Sequence, residues 1–231
     1  MLLEVSGLDA FYGDLQALHG ISIEVDSGES VALVGANGAG KTTFLRSVAG
    51  LIDQKRGTVS FDGASIAGLP AEKIAQRGVV LAPEGRMLFP SLTVEENLLM
   101  GGLTRRPGPW NLRRVYDLFP LLAERRSQMP NTLSGGQQGL VAIGRALMAN
   151  PGLLLCDEIS LGLAPVAVDQ TYASFARIRA EGTAIVLVEQ DVKRASSASD
   201  RIYCLLEGRV TLQGRSEQID AEELVQAYFG T

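Results

Sequence analysis

Residues 35–43 read GANGAGKTT and stand between the apolar run SVALV at 30–34 and the segment FLRSVAG at 44–50. They match in full the pattern G-x-x-x-x-G-K-[ST], which is typical of a loop that wraps phosphate groups. The flanks fit as well, since the apolar run predicts a buried strand and the following residues predict a helix that begins at Lys41. A plain glycine-rich turn is the alternative, but these flanks favour a phosphate-binding loop in an α/β protein.

The residue types of this loop indicate its chemistry. Glycines let the backbone amides turn inward around phosphate oxygens, and a helix N-terminus adds a partial positive charge. Lys41 can reach the β- and γ-phosphates of a nucleoside triphosphate, and the Thr42 hydroxyl can ligate Mg²⁺. We therefore predict a nucleoside triphosphate and Mg²⁺ as ligands. The predicted nucleotide contacts in the loop are Gly35, Ala36, Asn37, Gly38, Ala39, Gly40, Lys41, Thr42 and Thr43.

A pair of acids follows the apolar run LLLC, in the segment LLLCDE at 153–158. The run predicts a buried strand, and the acids stand at its carboxyl end, where ligands bind in a parallel sheet. Asp157 can hold Mg²⁺ through water, and Glu158 can orient or deprotonate the water that attacks the phosphate. Many strands end in acids, so this prediction depends on the phosphate-binding loop that precedes the strand.

Composition and charge exclude several classes of protein. The chain has 231 residues, of which 46% are hydrophobic and 20% charged, and this suits one compact domain. A formal net charge of -5 disfavours a nucleic-acid partner. No apolar run approaches the roughly 18 residues of a membrane span, and the first residues do not resemble a secretory signal. Cys156 and Cys204 suit buried thiols in a reducing cytosol, and with His19 as the sole histidine no zinc site is expected.

The order of predicted elements indicates the fold class. The first sixty residues predict mostly β structure, and after them short apolar strands alternate with helices. Such strands between helices predict a parallel sheet that is covered on both faces. Long helices are expected near 112–125, 136–149 and 165–180. The end of the chain predicts a hairpin around Glu207-Gly208, followed by a helix.

The segment NTLSGGQQ at 131–138 predicts a second anion-binding helix start. Ser134 suits a helix N-cap, and Gly135 and Gly136 open the helix although glycine is a poor helix former. Close approach of the backbone to an anion at the helix N-terminus is a physical reason for these glycines. The alternative is a loop that merely happens to be rich in glycine.

In this order and spacing, LSGGQQ after the loop at 35–43 and before LLLCDE resembles the signature of ABC-transporter ATPases. The resemblance covers essentially the whole chain. It implies a P-loop NTPase fold, with residues 1–231 as a single ABC-type nucleotide-binding domain. That domain would hold a mostly parallel core sheet, an antiparallel β subdomain, and a helical insert at about 84–132 that extends to the signature helix.

The same resemblance implies a head-to-tail dimer with a second ABC ATPase subunit, either a copy of this chain or a different one. Each ATP would lie between the P-loop of one subunit and the signature of the other, here Ser134, Gly135, Gly136 and Gln137. The family also places an aromatic residue upstream of the P-loop against adenine. Tyr12, in FYGD, matches that position, with a plain core tyrosine as the alternative.

Within the family, PEGRMLFPSLTVEENL, IGRALM, DEISLGLAP and LVEQD resemble the ATPase subunits of branched-chain amino acid importers. The ATPases of urea and amide importers are similar, so the solute stays open between these. The resemblance implies a peripheral subunit at the cytoplasmic face of the membrane, with separate transmembrane permeases and, indirectly, a solute-binding protein. The permease contact is expected near Met87, Leu88, Phe89 and Val94; the alternative is that these residues only pack the insert.

Several positions depart from the common pattern of the family, and two of these departures bear directly on the predicted chemistry. Glu84, in LAPEGR, occupies the place where most members have Gln, and its carboxylate could approach Mg²⁺ directly or through water. Gln190, in LVEQD, occupies the place of the histidine that contacts the γ-phosphate. An amide can donate a hydrogen bond to phosphate but cannot shuttle a proton. Glu158 is therefore expected to be the principal base, and Gln190 a γ-phosphate sensor, with a plain polar residue at the strand end as the alternative for Gln190.

Two rival functions remain from the sequence. A soluble ABC ATPase of DNA repair or of ribosomes usually carries a coiled-coil insertion or two cassettes, and neither fits 231 residues with one P-loop. A non-hydrolysing regulatory module is disfavoured by the intact Lys41, Thr42, Asp157 and Glu158. We therefore predict an ATP-hydrolysing subunit of an importer.

Overall fold

The computed structural model describes residues 1–162 and 164–230 and places ten strands and nine α-helices in them. The strands are β1 (Leu3–Tyr12), β2 (Leu15–Val25), β3 (Ser30–Val34), β4 (Lys55–Phe61), β5 (Ala64–Ser65), β6 (Val79–Ala82), β7 (Leu153–Asp157), β8 (Ala184–Glu189), β9 (Arg201–Leu206) and β10 (Arg209–Arg215). The helices are α1 (Lys41–Val48), α2 (Ala71–Arg77), α3 (Val94–Gly101), α4 (Leu112–Leu118), α5 (Pro120–Glu124), α6 (Gly135–Leu147), α7 (Pro165–Ala180), α8 (Val192–Ala198) and α9 (Ala221–Phe229). Short 3-10 helices cover Gly102–Thr104 and Pro130–Thr132.

The central sheet has six strands in the order β10-β9-β3-β8-β7-β6. Neighbours from β9 to β6 run parallel, and only β10 is antiparallel to its neighbour. Every residue of β3, β7 and β8 is buried, which explains their unbroken apolar sequences, since both faces of the sheet are covered. The predicted mostly parallel sheet is confirmed.

Alternate residues of a central strand pack on opposite faces of the sheet, as strand geometry requires. In β8, Val186 and Val188 pack in the core that the sheet shares with α1 and the antiparallel sheet. Ile185 and Leu187 pack on the other side, with α6, α7 and the insert helices. This alternation determines to which face each side chain at the end of the strand points.

The antiparallel subdomain is a four-stranded sheet in the order β2-β1-β4-β5. His19 lies half-buried in the edge strand β2 of this sheet. At the far end of the chain, β9 and β10 form the predicted hairpin. Glu207 and Gly208 have φ values of 47° and 73°, the left-handed pair that a tight two-residue hairpin turn needs.

The insert between β6 and β7 is helical, as predicted, but the prediction of a single long helix near 112–125 is wrong. The segment 112–125 forms two helices, α4 and α5, instead of one. Phe119 between them has φ -127° and ψ 77°, outside the helical region. Pro120 is the reason, because a proline ring disfavours the helical conformation of the residue before it, while suiting the first position of a new helix. The expected helix at 136–149 runs from Gly135 to Leu147, and that at 165–180 is confirmed.

Candidate active site

Three parallel strands bring the predicted site residues to one edge of the sheet. Val34, the last residue of β3, pairs with Glu189 of β8, and Asp157 of β7 pairs with Val188. The chain segments that follow these strands therefore meet around one opening, a cavity of about 440 Å³ that we call the strand-end cavity. It is lined by Ala17, Asn37, Gly38, Gly40, Lys41, Thr42, Thr43, Glu84, Glu158, Leu161 and Gln190.

The loop between β3 and α1 is held by close backbone contacts. Gly35 has φ 155°, and a Cβ there would collide with the carbonyl oxygen of Leu205 in β9. Gly40 has φ 101°, and a Cβ there would lie 2.7 Å from a methyl carbon of Leu18. The carbonyl oxygen of Ala39, between them, accepts a hydrogen bond from the Gly208 amide at 3.0 Å. Glycine is thus required at 35 both by conformation and by space, and at 40 by conformation.

Lys41, at the start of α1, is 4% exposed. Its ammonium group donates to the carbonyl oxygens of Gly35 at 2.7 Å and Ala36 at 3.1 Å, so the side chain folds back along the loop. It also lies 3.5 Å from the Glu158 carboxylate. The lysine charge therefore lies inside the loop and next to the carboxylate of the predicted base.

Asp157 is the most enclosed acid of the site, at 1% exposure. Its carboxylate accepts a hydrogen bond from the Thr42 hydroxyl at 2.9 Å. Burial raises the pKa of Asp157, and the negative charges of Glu84 and Glu158 raise it further, while the Thr42 bond lowers it. A nearby cation would lower the pKa of Asp157 again, because it would stabilise the charged carboxylate.

Glu158 and Gln190 are in direct contact. The Gln190 amide nitrogen donates to a Glu158 carboxylate oxygen at 2.7 Å. Glu158 has φ 45°, a conformation that non-glycine residues rarely adopt and that is often found at functional sites. Two backbone hydrogen bonds support it, from the Glu158 amide to the Val188 carbonyl and from the Leu161 amide to the Glu158 carbonyl, both at 3.1 Å.

Tyr12 and Glu84 lie toward the outside of the site. Tyr12 ends β1 with an exposed ring, and its hydroxyl is 3.5 Å from that of Thr43, which lines the strand-end cavity. Glu84 follows β6, is exposed and lines the same cavity. The predicted position of both residues at the nucleotide remains a prediction.

The helix α6 begins as predicted with Ser134 as its N-cap. The Ser134 hydroxyl accepts from the Gln137 amide at 3.4 Å, and the Gln137 side chain accepts from the Ser134 amide at 3.0 Å, which completes a capping box. Packing within the chain also explains the two glycines at 135 and 136. A Cβ at Gly136 would collide with Ala167 of α7, and one at Gly135 would lie 2.9 Å from the Arg86 guanidinium. None of the described residues 134–137 lines the strand-end cavity.

Comparison with protein families identifies this arrangement. The family model described as ABC transporter matches residues 18–160, which include the P-loop, the signature and both acids. The chain belongs to the ABC transporter family. It is an ATP-binding cassette of that family and hence an ATPase.

Individual relatives resemble the cassette over its whole length. It is 41% identical to the high-affinity branched-chain amino acid transport ATP-binding protein BraG of Pseudomonas aeruginosa, over 99% of this chain and 100% of that protein. The crystal structure of the ADP conformation of MJ1267, an ATP-binding cassette of an ABC transporter, matches with a TM-score of 0.85 at 26% identity, covering 100% and 99% of the two chains. The dimeric structure of MJ0796, a bacterial ABC transporter cassette, matches with a TM-score of 0.81 at 25% identity, covering 94% and 100%.

The cassette has a second opening, a groove of about 610 Å³ beside the insert, which we call the insert groove. Met87 and Phe89 line it and are 61% and 43% exposed. Leu88 instead packs against the core of the insert, and Val94 is fully buried. The fully buried Val94 can only pack the insert, so the predicted permease contact is wrong for that residue. For Met87, Leu88 and Phe89 the contact remains a prediction. No helix of the described residues is long and apolar enough to cross a membrane.

Sequence reasoning missed the side chains that hold the cassette loop between Glu84 and α3. Arg145 of α6 donates to the carbonyl oxygens of Met87 at 2.7 Å and Arg86 at 3.0 Å. The fully buried Asn97 bonds the Phe89 amide at 2.9 Å and its carbonyl at 3.0 Å. A polar residue on the inner face of a helix next to an irregular loop is the signal that could have revealed Asn97.

Proposed function

We propose that this cassette powers a membrane importer of branched-chain or related amino acids. Its strand-end cavity would hydrolyse ATP, with Glu158 as the general base. The observation that carries the proposal is the Glu158 carboxylate, which meets Gln190 at 2.7 Å and Lys41 at 3.5 Å beside the P-loop. The similarity to BraG supports the choice of solute. An importer of urea or short amides is the alternative solute class.

The proposed reaction assigns each side chain one task. Backbone amides of the P-loop and the Lys41 ammonium bind the β- and γ-phosphates of ATP. Glu158 takes a proton from a water molecule, and the oxygen of that water forms a bond to the γ-phosphorus. The bond between the γ-phosphorus and the oxygen that bridges the β- and γ-phosphates breaks, and ADP leaves with that oxygen. Gln190 keeps the Glu158 carboxylate in place and offers its second amide hydrogen to the γ-phosphate. Tyr12 would stack on adenine.

Thr42 and Asp157 would hold Mg²⁺, with Glu84 within reach of it. The donors fit, since they are oxygen atoms and the pKa of Asp157 is raised by burial and by negative neighbours. No three acidic, histidine or cysteine side chains of the described residues form a metal cluster by themselves. The site therefore suits an ion that also takes water and phosphate oxygens as ligands. When bound, Mg²⁺ would neutralise charge on the β- and γ-phosphates.

The proposed partners occupy two surfaces. A second cassette, identical or different, would supply its Ser134, Gly135, Gly136 and Gln137 or their equivalents to the ATP held here, and MJ0796 shows that a cassette of this fold can dimerise. Permeases would contact the insert groove at Met87 and Phe89 on the cytoplasmic face of the membrane. A solute-binding protein would act only through the permeases.

The experiment that tests the function is solute uptake by the cells from which the chain comes. Replacing the chain by its Lys41→Ala variant should abolish uptake of radiolabelled leucine, isoleucine and valine, and the unchanged chain should restore it. Lost uptake of urea or acetamide, with leucine uptake intact, would support the alternative solutes. Normal uptake of all of these would contradict transport and favour a soluble ABC ATPase outside transport.

A mixture of two defective chains tests the shared site. We expect a Lys41→Ala chain and a Ser134→Arg chain to form an ATP-dependent mixed dimer, because one of its two sites joins an intact P-loop to an intact signature. Each variant alone forms only sites with one broken half. Both chains carry Glu158→Gln to prevent turnover, and differently labelled chains are followed by size-exclusion chromatography.

Glu158→Gln on its own is the control and should dimerise at millimolar ATP. If the control dimerises but the mixture does not, the shared arrangement of P-loop and signature is wrong. A mixed dimer without ATP would show that association does not depend on the proposed sites.

Variants of Gln190 test the role of its amide. Gln190→Ala should slow hydrolysis less than Glu158→Gln does, since one hydrogen bond contributes roughly 0.5–1.5 kcal/mol. Gln190→His should add a step to the pH dependence of kcat near pH 6.5 or above, because the Glu158 carboxylate favours the charged imidazolium. His19→Gln is the control. If the wild-type cassette already shows this step and His19→Gln removes it, the assignment of Gln190 is wrong.

A further inference from the structure

Glu189 is a buried carboxylate that the proposed reaction does not use. It is the last residue of β8 and is 3% exposed. One carboxylate oxygen accepts from the Tyr172 hydroxyl at 2.6 Å, and the other accepts from the Ser160 hydroxyl at 2.9 Å. Its hydrogen-bond partners are thus two hydroxyl groups rather than a basic side chain.

Enclosing a carboxylate in this way is unfavourable for the fold. Burial raises the pKa of Glu189, and the two hydroxyls together with the positive charge of Arg194 offset this only in part. A neutral apolar side chain would fill the same space without that penalty. The acceptor chemistry explains why a carboxylate is present, since it can accept from two hydroxyl donors at separate oxygens, whereas an amide has only one oxygen.

The three residues of this cluster join the segments that carry the proposed base and sensor. Ser160 lies two residues after Glu158, and Glu189 directly precedes Gln190. Tyr172 lies on α7, which packs on the far face of the sheet. Because strand side chains alternate, Glu189 points toward α7 while Gln190 lines the strand-end cavity.

The turn that begins at Glu158 needs support from outside itself. Its φ of 45° persists only where neighbouring structure holds it. The backbone bond from Glu158 to Val188 attaches the start of the turn to β8. The bond from Ser160 to Glu189 attaches the side chain two positions later to the end of the same strand.

We propose that Glu189 is a positioning residue for ATP hydrolysis. Through Ser160 and Tyr172 it holds the turn at 158–161 against the end of β8, and this keeps Glu158 and Gln190 at their 2.7 Å contact. The inference rests on the proposed role of Glu158 as the base. Glu189 itself faces away from the cavity and takes no proton from the attacking water.

Three conservative variants test this role in the full chain. Glu189→Gln, Tyr172→Phe and Ser160→Ala should each lower kcat, with about a tenfold loss for Glu189→Gln, because small misplacement of reacting groups slows chemistry strongly. The KM for ATP should stay within about twofold, since the phosphate-binding loop is not altered. Ser160→Thr, which keeps the hydroxyl, should retain most of the activity that Ser160→Ala loses.

Two matched controls separate positioning from general stability. Ser174→Ala removes a buried hydroxyl of α7, and Tyr203→Phe removes the hydroxyl of a buried tyrosine in β9. Both should keep wild-type kcat at melting temperatures similar to those of the test variants. Equal losses in the controls, or a kcat that simply follows melting temperature, would overturn the proposal.

Glu158→Gln belongs in the same series. If it is defective while all three cluster variants turn over normally, the positioning role of Glu189 is wrong and the base assignment stands. If Glu158→Gln itself turns over at the wild-type rate, the proposed base is wrong, and any loss in the cluster variants would need another origin.

Discussion

Glu158→Gln should bind ATP with Mg²⁺ normally and hydrolyse it at least about a hundredfold more slowly, the scale of losing a general base. The substitution keeps the size of the side chain, and its amide oxygen can still accept from Gln190. It removes the negative charge and the ability to take a proton. Phosphate release in single-turnover and steady-state assays measures the loss, and calorimetry measures ATP binding.

Glu181→Gln is a suitable control, because Glu181 pairs with Arg114 on the surface away from the strand-end cavity. It should hydrolyse ATP at the wild-type rate. A Glu158→Gln cassette that turns over within threefold of wild type would move the base to another residue.

Lys41→Ala should abolish measurable turnover and weaken ATP binding. Hydrogen bonds to charged groups contribute about 1.5–3 kcal/mol, so affinity should fall roughly ten- to a hundredfold. The loss has a second cause, since the ammonium also faces the Glu158 carboxylate at 3.5 Å. Without it, that carboxylate would repel the γ-phosphate more strongly.

Calorimetric titration with ATP measures the affinity, and a melting curve without ATP separates lost binding from lost folding. Lys73→Ala is the matched control, because Lys73 is exposed and its side chain bonds only to Gln76 of the same helix among the described residues. Unchanged ATP affinity in the Lys41→Ala cassette would contradict the role given to the loop at 35–43.

Much of the fold could be predicted because its signals are local. The apolar runs of β3, β7 and β8 and the hairpin turn at Glu207-Gly208 follow from sequence patterns of a few residues. The break at Phe119 was predictable by the same kind of rule, since Pro120 restricts the residue before it. The single helix expected at 112–125 was wrong because its hydrophobic periodicity continues across this proline.

Most residues that line the strand-end cavity could be named from the sequence, but their geometry could not. If β7 simply continued, the alternation of its side chains would point Glu158 toward α7. Because Glu158 instead has a positive φ, its carboxylate points to Gln190 and Lys41. One of the two backbone bonds that support this φ goes to Val188, which is distant in sequence. Gly136 shows the same limit, since its contact with Ala167 depends on how α6 and α7 pack.

The contacts between the P-loop and the last strands of the central sheet bear on how the protein forms during synthesis. The loop at 35–43 takes its shape against the Leu205 carbonyl and the Gly208 amide, which are translated long after it. Contacts so distant in sequence form late, because the intervening chain must first be brought together. In a nascent chain that still lacks β9 and β10, the nucleotide-binding loop would therefore not yet have its final shape. ATP could then favour the finished fold but could not template its early stages.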